Sequence, residues 1–292
     1  MQSVLNTASV MPTSTMHLSD QHQAAVMTSQ LFPQFASTIS RLPDSQLASR
    51  LSLDPALRLF KSGDLESWYT PFEHVNESAK IVVVGITPGE TQLLNALREA
   101  RSQLRSGSSF DDALKAAKHV GAFSGPLRQH LVALLDHVGF QSWLGIASTQ
   151  DLFGASHRLL HSTSVLPHAV FIKGKNYNGT PDMLRHPVLR QSFIEHFSEK
   201  IAPLKQAVFV PLGDKVAKAL DFLASEGVLS RDQILDGLPH PSPANIERIR
   251  FFIGQKPASE LSPKTNAEKL VNARKSLKLR VQNLPKIEQP NG

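Results

Sequence analysis

The chain has 292 residues, 41% of them hydrophobic, enough for one large domain or two small ones with an ample core. Cysteine is absent, which excludes disulfides, thiolate zinc sites, cysteine-ligated iron–sulfur clusters and a cysteine nucleophile. The net charge of +6 is uneven: from Lys256 onward eight Lys and Arg face three Glu, leaving the earlier part almost neutral, so only a local patch there could bind phosphate.

Residues 1–22 are rich in Ser, Thr, Gln and Met without periodicity and read as flexible. There is no basic-then-apolar signal layout and no apolar run long enough for a bilayer, so a cytoplasmic protein with no membrane partner is expected. Helical spacing covers Ala24–Leu42, broken by Pro33, and a second short helix is expected over Asp44–Leu53. After an apolar stretch, Leu57–Phe60, the aromatic segment Trp68–Phe72 leads to the first clear strand, Ala79–Val84. Its continuous Ile/Val run fits a strand buried on both faces.

The loop Gly85–Gln92 follows, then helices over Leu93–Leu104 and Asp111–Lys118. The turn Gly121–Arg128 opens a helix through Val138, and Leu144–Ala147 reads as the second strand. Ala169–Ile172 is another extended run, entering Lys173–Gly179, and Pro181–Ile201 reads mostly as helix. Ala207–Gly213 is the third strand, Lys215–Glu226 a helix and Ile234–Leu238 the fourth strand. Strands alternating with helices predict an α/β domain with a central parallel sheet, whose ligands sit at the carboxyl ends of the strands. The final residues read as a weakly helical basic extension.

Two loops fall at such strand ends. In Leu238–Arg248 the prolines 239, 241 and 243 stiffen the chain around His240. Pro243 suits the first helical position, with Ser242 as N-cap and the helix start as a phosphate seat. Taken alone, the stretch fits a proline-rich turn with a solvated histidine better than a site. The other loop, Gly85-Ile86-Thr87-Pro88-Gly89, lacks the Lys-Ser/Thr of a P-loop and the third glycine of a dinucleotide fingerprint. It brings Thr87, Glu90 and Gln92 near a strand end, where a carboxylate either orients water or stabilises the N-terminus of the next helix.

Together, Gly85–Gly89 and His240-Pro241-Ser242 resemble the two motifs of the uracil-DNA glycosylase superfamily, as in a divergent bacterial or phage-related member. Ala122–Arg128 is similar to the Phe-containing turn of several branches. The resemblance implies a three-layer fold around a four-stranded parallel sheet over residues 69–255. An N-terminal flexible and helical extension (1–68) and a basic tail (256–292) would flank it. It implies that His240 stabilises negative charge on a flipped base, that Phe123 stacks on that base, and that Ser242 contacts phosphate, with Asn245 and Arg248 completing the DNA-facing set.

The sequence departs from the family where Asn, Asp or Glu is usual, at Ile86 and Thr87. Ile86 is then a base-contacting residue, Thr87 can hold a water but is a poor base, and Glu90 is the nearest carboxylate to position it. Ala244 is a small wedge, suited to single-stranded or weakened pairs. No Asn follows the expected second strand; Asn176 and Asn178 could instead read the base edge, or form an ordinary surface turn. His157 and His161, four apart on an expected helix face, read as structural rather than metal ligands. Lys173 and Lys175 are phosphate contacts or merely solvated.

The expected protein is a monomeric, monofunctional DNA glycosylase, without cofactor or metal, acting on DNA that is single-stranded or carries a modified base. One alternative moves the same chemistry from DNA repair to antiviral defence, with removal of a hypermodified base such as glucosylated hydroxymethylcytosine from phage DNA. Another is a catalytically weak DNA-binding protein of the same fold.

Overall fold

The computed structural model describes residues 31–123 and 125–287; residues 1–22 and the start of the first expected helix lie outside the described residues. Helix α1 (Leu31–Arg41) is followed by 3-10 turns across 44–57, where one short helix was expected, and by a hairpin of β1 (Arg58–Ser62) and β2 (Leu65–Trp68). Next come β3 (Ile81–Gly85), α2 (Glu90–Arg105), α3 (Phe110–Gly121), α4 (Pro126–Val138) and the short α5 (Phe140–Leu144). Strands β4 (Leu160–Ser164), β5 (Ala169–Ile172) and β6 (Lys175–Asn176) precede α6 (Pro187–Ile201), β7 (Val208–Pro211) and α7 (Asp214–Ser225). The chain closes with α8 (Ile246–Phe252) and α9 (Ala267–Gln282). No helix of the described residues is long and apolar enough to cross a membrane.

The protein is α/β, with a parallel sheet in the order β4-β3-β7. All five residues of β3 are buried, and strand alternation divides them between two cores. Val82 and Val84 pack with Phe193, Phe197, Val216 and Leu220 of α6 and α7. Ile81 and Val83 pack with Leu131, Leu135, Ile249 and Leu277 of α4, α8 and α9. Helices therefore cover both faces.

The fourth parallel strand does not form. Ile234 makes a single parallel bridge to Phe209, and the Leu235 N–H donates to the Phe209 carbonyl at 2.8 Å. The next bond of that ladder would come from residue 211, a proline with no N–H to donate. The second strand is also elsewhere. Residues 144–147 end α5 and turn through Gly145 at φ 68°, and the strand beside β3 is β4. His161 lies in that strand and His157 in a 3-10 turn, so they share no helix face.

The expected domain limits cut through packed structure. Strand β2 pairs antiparallel with β5 in a second sheet, β1-β2-β5-β6, and Trp68 and Tyr69 share a core with Leu93, Leu97 and Phe171. The basic tail is docked as well. Leu277 and Val281 of α9 are buried, Arg280 donates to Asp236 at 3.0 Å and Arg274 to the Phe252 carbonyl at 3.0 Å.

Candidate active site

A cavity of about 300 Å³ opens at the carboxyl ends of β3 and β4. Three segments distant in sequence meet there: the loop after β3 (Ile86, Thr87), the turn before α4 (Phe123) and the loop before α8 (His240, Ser242). Asn176 and Asn178 also line it. Asn245, Arg248 and Glu90 are not among its lining residues.

The first loop commits its polar groups to structure. The Thr87 hydroxyl donates to the His168 carbonyl at 2.8 Å and accepts from the Val170 N–H at 3.0 Å, so its proton is used in latching the loop to β5 rather than in holding water. The Glu90 carboxylate accepts the Arg50 N–H at 2.9 Å. The Glu90 N–H in turn donates to Asn176 Oδ1 at 3.1 Å, so Asn176 caps α2 and keeps its amino group for a ligand. Gln92 accepts the Gly89 N–H at 3.0 Å. No carboxylate is among the described residues that line the cavity.

Phe123 is buried at φ 48°, a left-handed conformation that is uncommon for a bulky residue. Arg128 braces it, donating from Nε to the Phe123 carbonyl at 2.7 Å and from Nη2 to the Ala122 carbonyl at 3.3 Å. Phe72, on the same cavity, is fixed from behind: the Lys118 and Lys200 ammoniums both reach its carbonyl at 3.4 Å. Between them burial pushes the Glu73 carboxyl up, with Lys200 opposing, while burial pulls both lysines down.

The second loop leaves its histidine available. His240 Nδ1 accepts the Ser242 N–H at 3.2 Å, which puts the ring proton of the neutral imidazole on Nε2. Burial lowers the His240 pKa below the usual histidine value, so the neutral form prevails at pH 7. The proline between them is also held, its carbonyl 3.0 Å from His130 Nδ1. Ser242 is the N-cap of a three-residue 3-10 turn at Pro243 and not of α8, which was expected to start there but begins at Ile246, and its hydroxyl accepts from Asn245 rather than from backbone. Arg248 donates to Asn245 and to the Lys264 carbonyl.

The wall contributed by β4 was not foreseen. Ser162, Thr163 and Ser164 line the cavity, where the expected second strand offered only Ser148–Asp151. Lys173 and Lys175 are exposed and are not among the lining residues. No group of three or more His, Asp or Glu that could hold a metal ion occurs among the described residues.

Fold and site define an α/β protein with a small, donor-rich pocket at the carboxyl end of a parallel sheet. The chain belongs to the family of the uncharacterized protein YoxB of Bacillus subtilis (strain 168), to which it is 34% identical over 226 residues, 76% of this chain and 88% of that protein. No family model matches the chain. No solved structure matches it.

Proposed function

We propose that the chain is a monofunctional DNA glycosylase of the uracil-DNA glycosylase type, which flips a base out of the stack and hydrolyses its N-glycosidic bond. The observation that carries this reading is the meeting of the Ile86, Phe123 and His240 segments on one cavity of about 300 Å³. A flipped base stacks on Phe123, and the neutral His240 donates its Nε2–H to a ring carbonyl oxygen as the bond to the sugar breaks. Water adds to the anomeric carbon, its proton passes to solvent, and the departing base anion takes up a proton. An abasic site remains. Without a lining carboxylate, acceleration rests on stabilising the departing anion rather than on activating water.

Two further readings each have an observation in their favour. Ser162, Thr163 and Ser164 of β4 line the cavity, which favours a base other than plain uracil, such as a hypermodified phage base. The commitment of Thr87 and Glu90 to structural bonds favours a DNA-binding protein with weak chemistry. The test is incubation with oligonucleotides carrying uracil, mismatched thymine, hydroxymethylcytosine or glucosylated hydroxymethylcytosine, single- and double-stranded, followed by alkali. Strand breakage on one substrate, lost in His240→Ala, supports the glycosylase and identifies the base. Binding without breakage on any substrate overturns it in favour of the binding protein.

A further inference from the structure

Beside the base pocket, along the edge of the sheet formed by β4, lies a larger cavity of about 800 Å³, the size of a site for a nucleotide-sized ligand. Ala122 and Ser162 line both cavities, so small side chains form the partition. The groove carries Lys115, His119, Arg128, His157 and Arg158 against the carboxylate of Glu77. Asp111 pairs with Lys115 at 2.6 Å, and the Lys118 ammonium at the floor is held by the His74 carbonyl at 2.6 Å. Arg128 and Arg158 bring two guanidiniums to the lining, and guanidinium geometry suits phosphate.

Arg128 lines the groove and braces a turn of the base pocket. Its guanidinium lies over the Phe153 ring, 4.7 Å from the centroid, on the groove side. The same group holds the carbonyls of Ala122 and Phe123, the latter at φ 48°. Left-handed backbone at a bulky residue persists only where its surroundings hold it. A ligand that engages Arg128 therefore acts on the turn carrying the stacking ring.

We propose that this groove is a second site, binding a phosphate group and coupled through Arg128 to the Phe123 turn. The phosphate belongs to a free nucleotide or to a DNA strand passing the pocket. The site stands apart from the glycosylase reading, because its test needs no turnover. The full chain is titrated with pyrophosphate and with deoxyadenosine monophosphate by calorimetry at low salt, alongside Arg158→Glu, a substitution at an exposed position.

The expected result is binding that weakens about tenfold or more in Arg158→Glu, the loss of one charge-assisted contact. Ligand also slows hydrogen exchange of the Gly121–Phe123 amides, an effect absent in Arg128→Met, which keeps an apolar stem but has no donor for either carbonyl. No binding of either probe, or equal binding by Arg158→Glu, overturns the site. Binding that leaves exchange at Gly121–Phe123 unchanged overturns the coupling. With the site established, a single-stranded oligonucleotide that displaces pyrophosphate assigns the phosphate to DNA, and one that does not assigns it to a free ligand.

Discussion

The two loops at the carboxyl end of the sheet carry polar side chains of similar promise and put them to opposite uses. After β3, Thr87 and Glu90 are held by partners from β5 and from the N-terminal segment, His168, Val170 and Arg50. Before α8, His240 is oriented by its neighbour Ser242 through one ring nitrogen and keeps the other for the cavity. The difference lies in what each group must satisfy. Thr87 and Glu90 sit where backbone groups of other segments need partners, and an unmade buried hydrogen bond costs about 1–3 kcal/mol. His240 sits in a loop whose prolines require no donors' partners of their own. His240 thus keeps a ring donor at the cavity, and the polar groups of the first loop serve the fold.

The sharpest way to break that contrast is His240→Ala. On whichever substrate the wild type cleaves, single-turnover abasic-site formation should fall by about 10²–10³, the loss seen when one oxyanion donor is removed. A loss smaller than tenfold would make His240 a structural residue like Thr87. Thr87→Val tests the other side: it leaves the His168 carbonyl and the Val170 N–H unpaired, so urea unfolding should show about 1–3 kcal/mol less stability. Thr87→Ser, which keeps the hydroxyl, should recover most of it. Unchanged stability with lost activity would return Thr87 to catalysis.

Acid should act mainly through buried histidines. Burial pulls His161 and His168 well below the usual histidine value and lowers His240 as well, with Lys118 adding to the effect at His161 and Lys200 at His168. The unfolded chain therefore takes up protons first as pH falls. The histidines should contribute no slope well above about pH 6.5 and a loss of stability below it, by at most about 1.4 kcal/mol per pH unit for each, and the lowered Lys118 and Lys200 act in the same direction at higher pH. Urea midpoints from pH 8 to pH 5 measure this, and a flat profile would contradict it. The smallest effect is expected from Glu90→Gln, which can still accept the Arg50 N–H: activity should stay within about threefold of wild type, below 1 kcal/mol on the barrier. A larger loss would bring the water-positioning role back to Glu90.

Local pattern determined a good part of this protein. The Ile/Val run of β3 and the apolar run of β7 were legible because strands buried on both faces are apolar throughout. The loops after β3 and before α8 were legible from Pro and Gly, as was Pro126 opening α4. They meet Phe123 on one cavity.

Tertiary structure decided the rest, for reasons that no local window contains. Strand β4 reads Leu-His-Ser-Thr-Ser and pairs, among the described residues, with β3 alone, so its polar residues carry no strand signature, and that pairing fixes it. Pro211 looks harmless in an apolar strand until its missing N–H falls where the fourth strand needed a donor. The basic tail became a packed helix because two of its apolar residues, Leu277 and Val281, find the core against α4. Thr87 meets its partners 81 and 83 residues away. The side chains a pocket can use are those the fold leaves without such partners, and only the folded chain shows which they are.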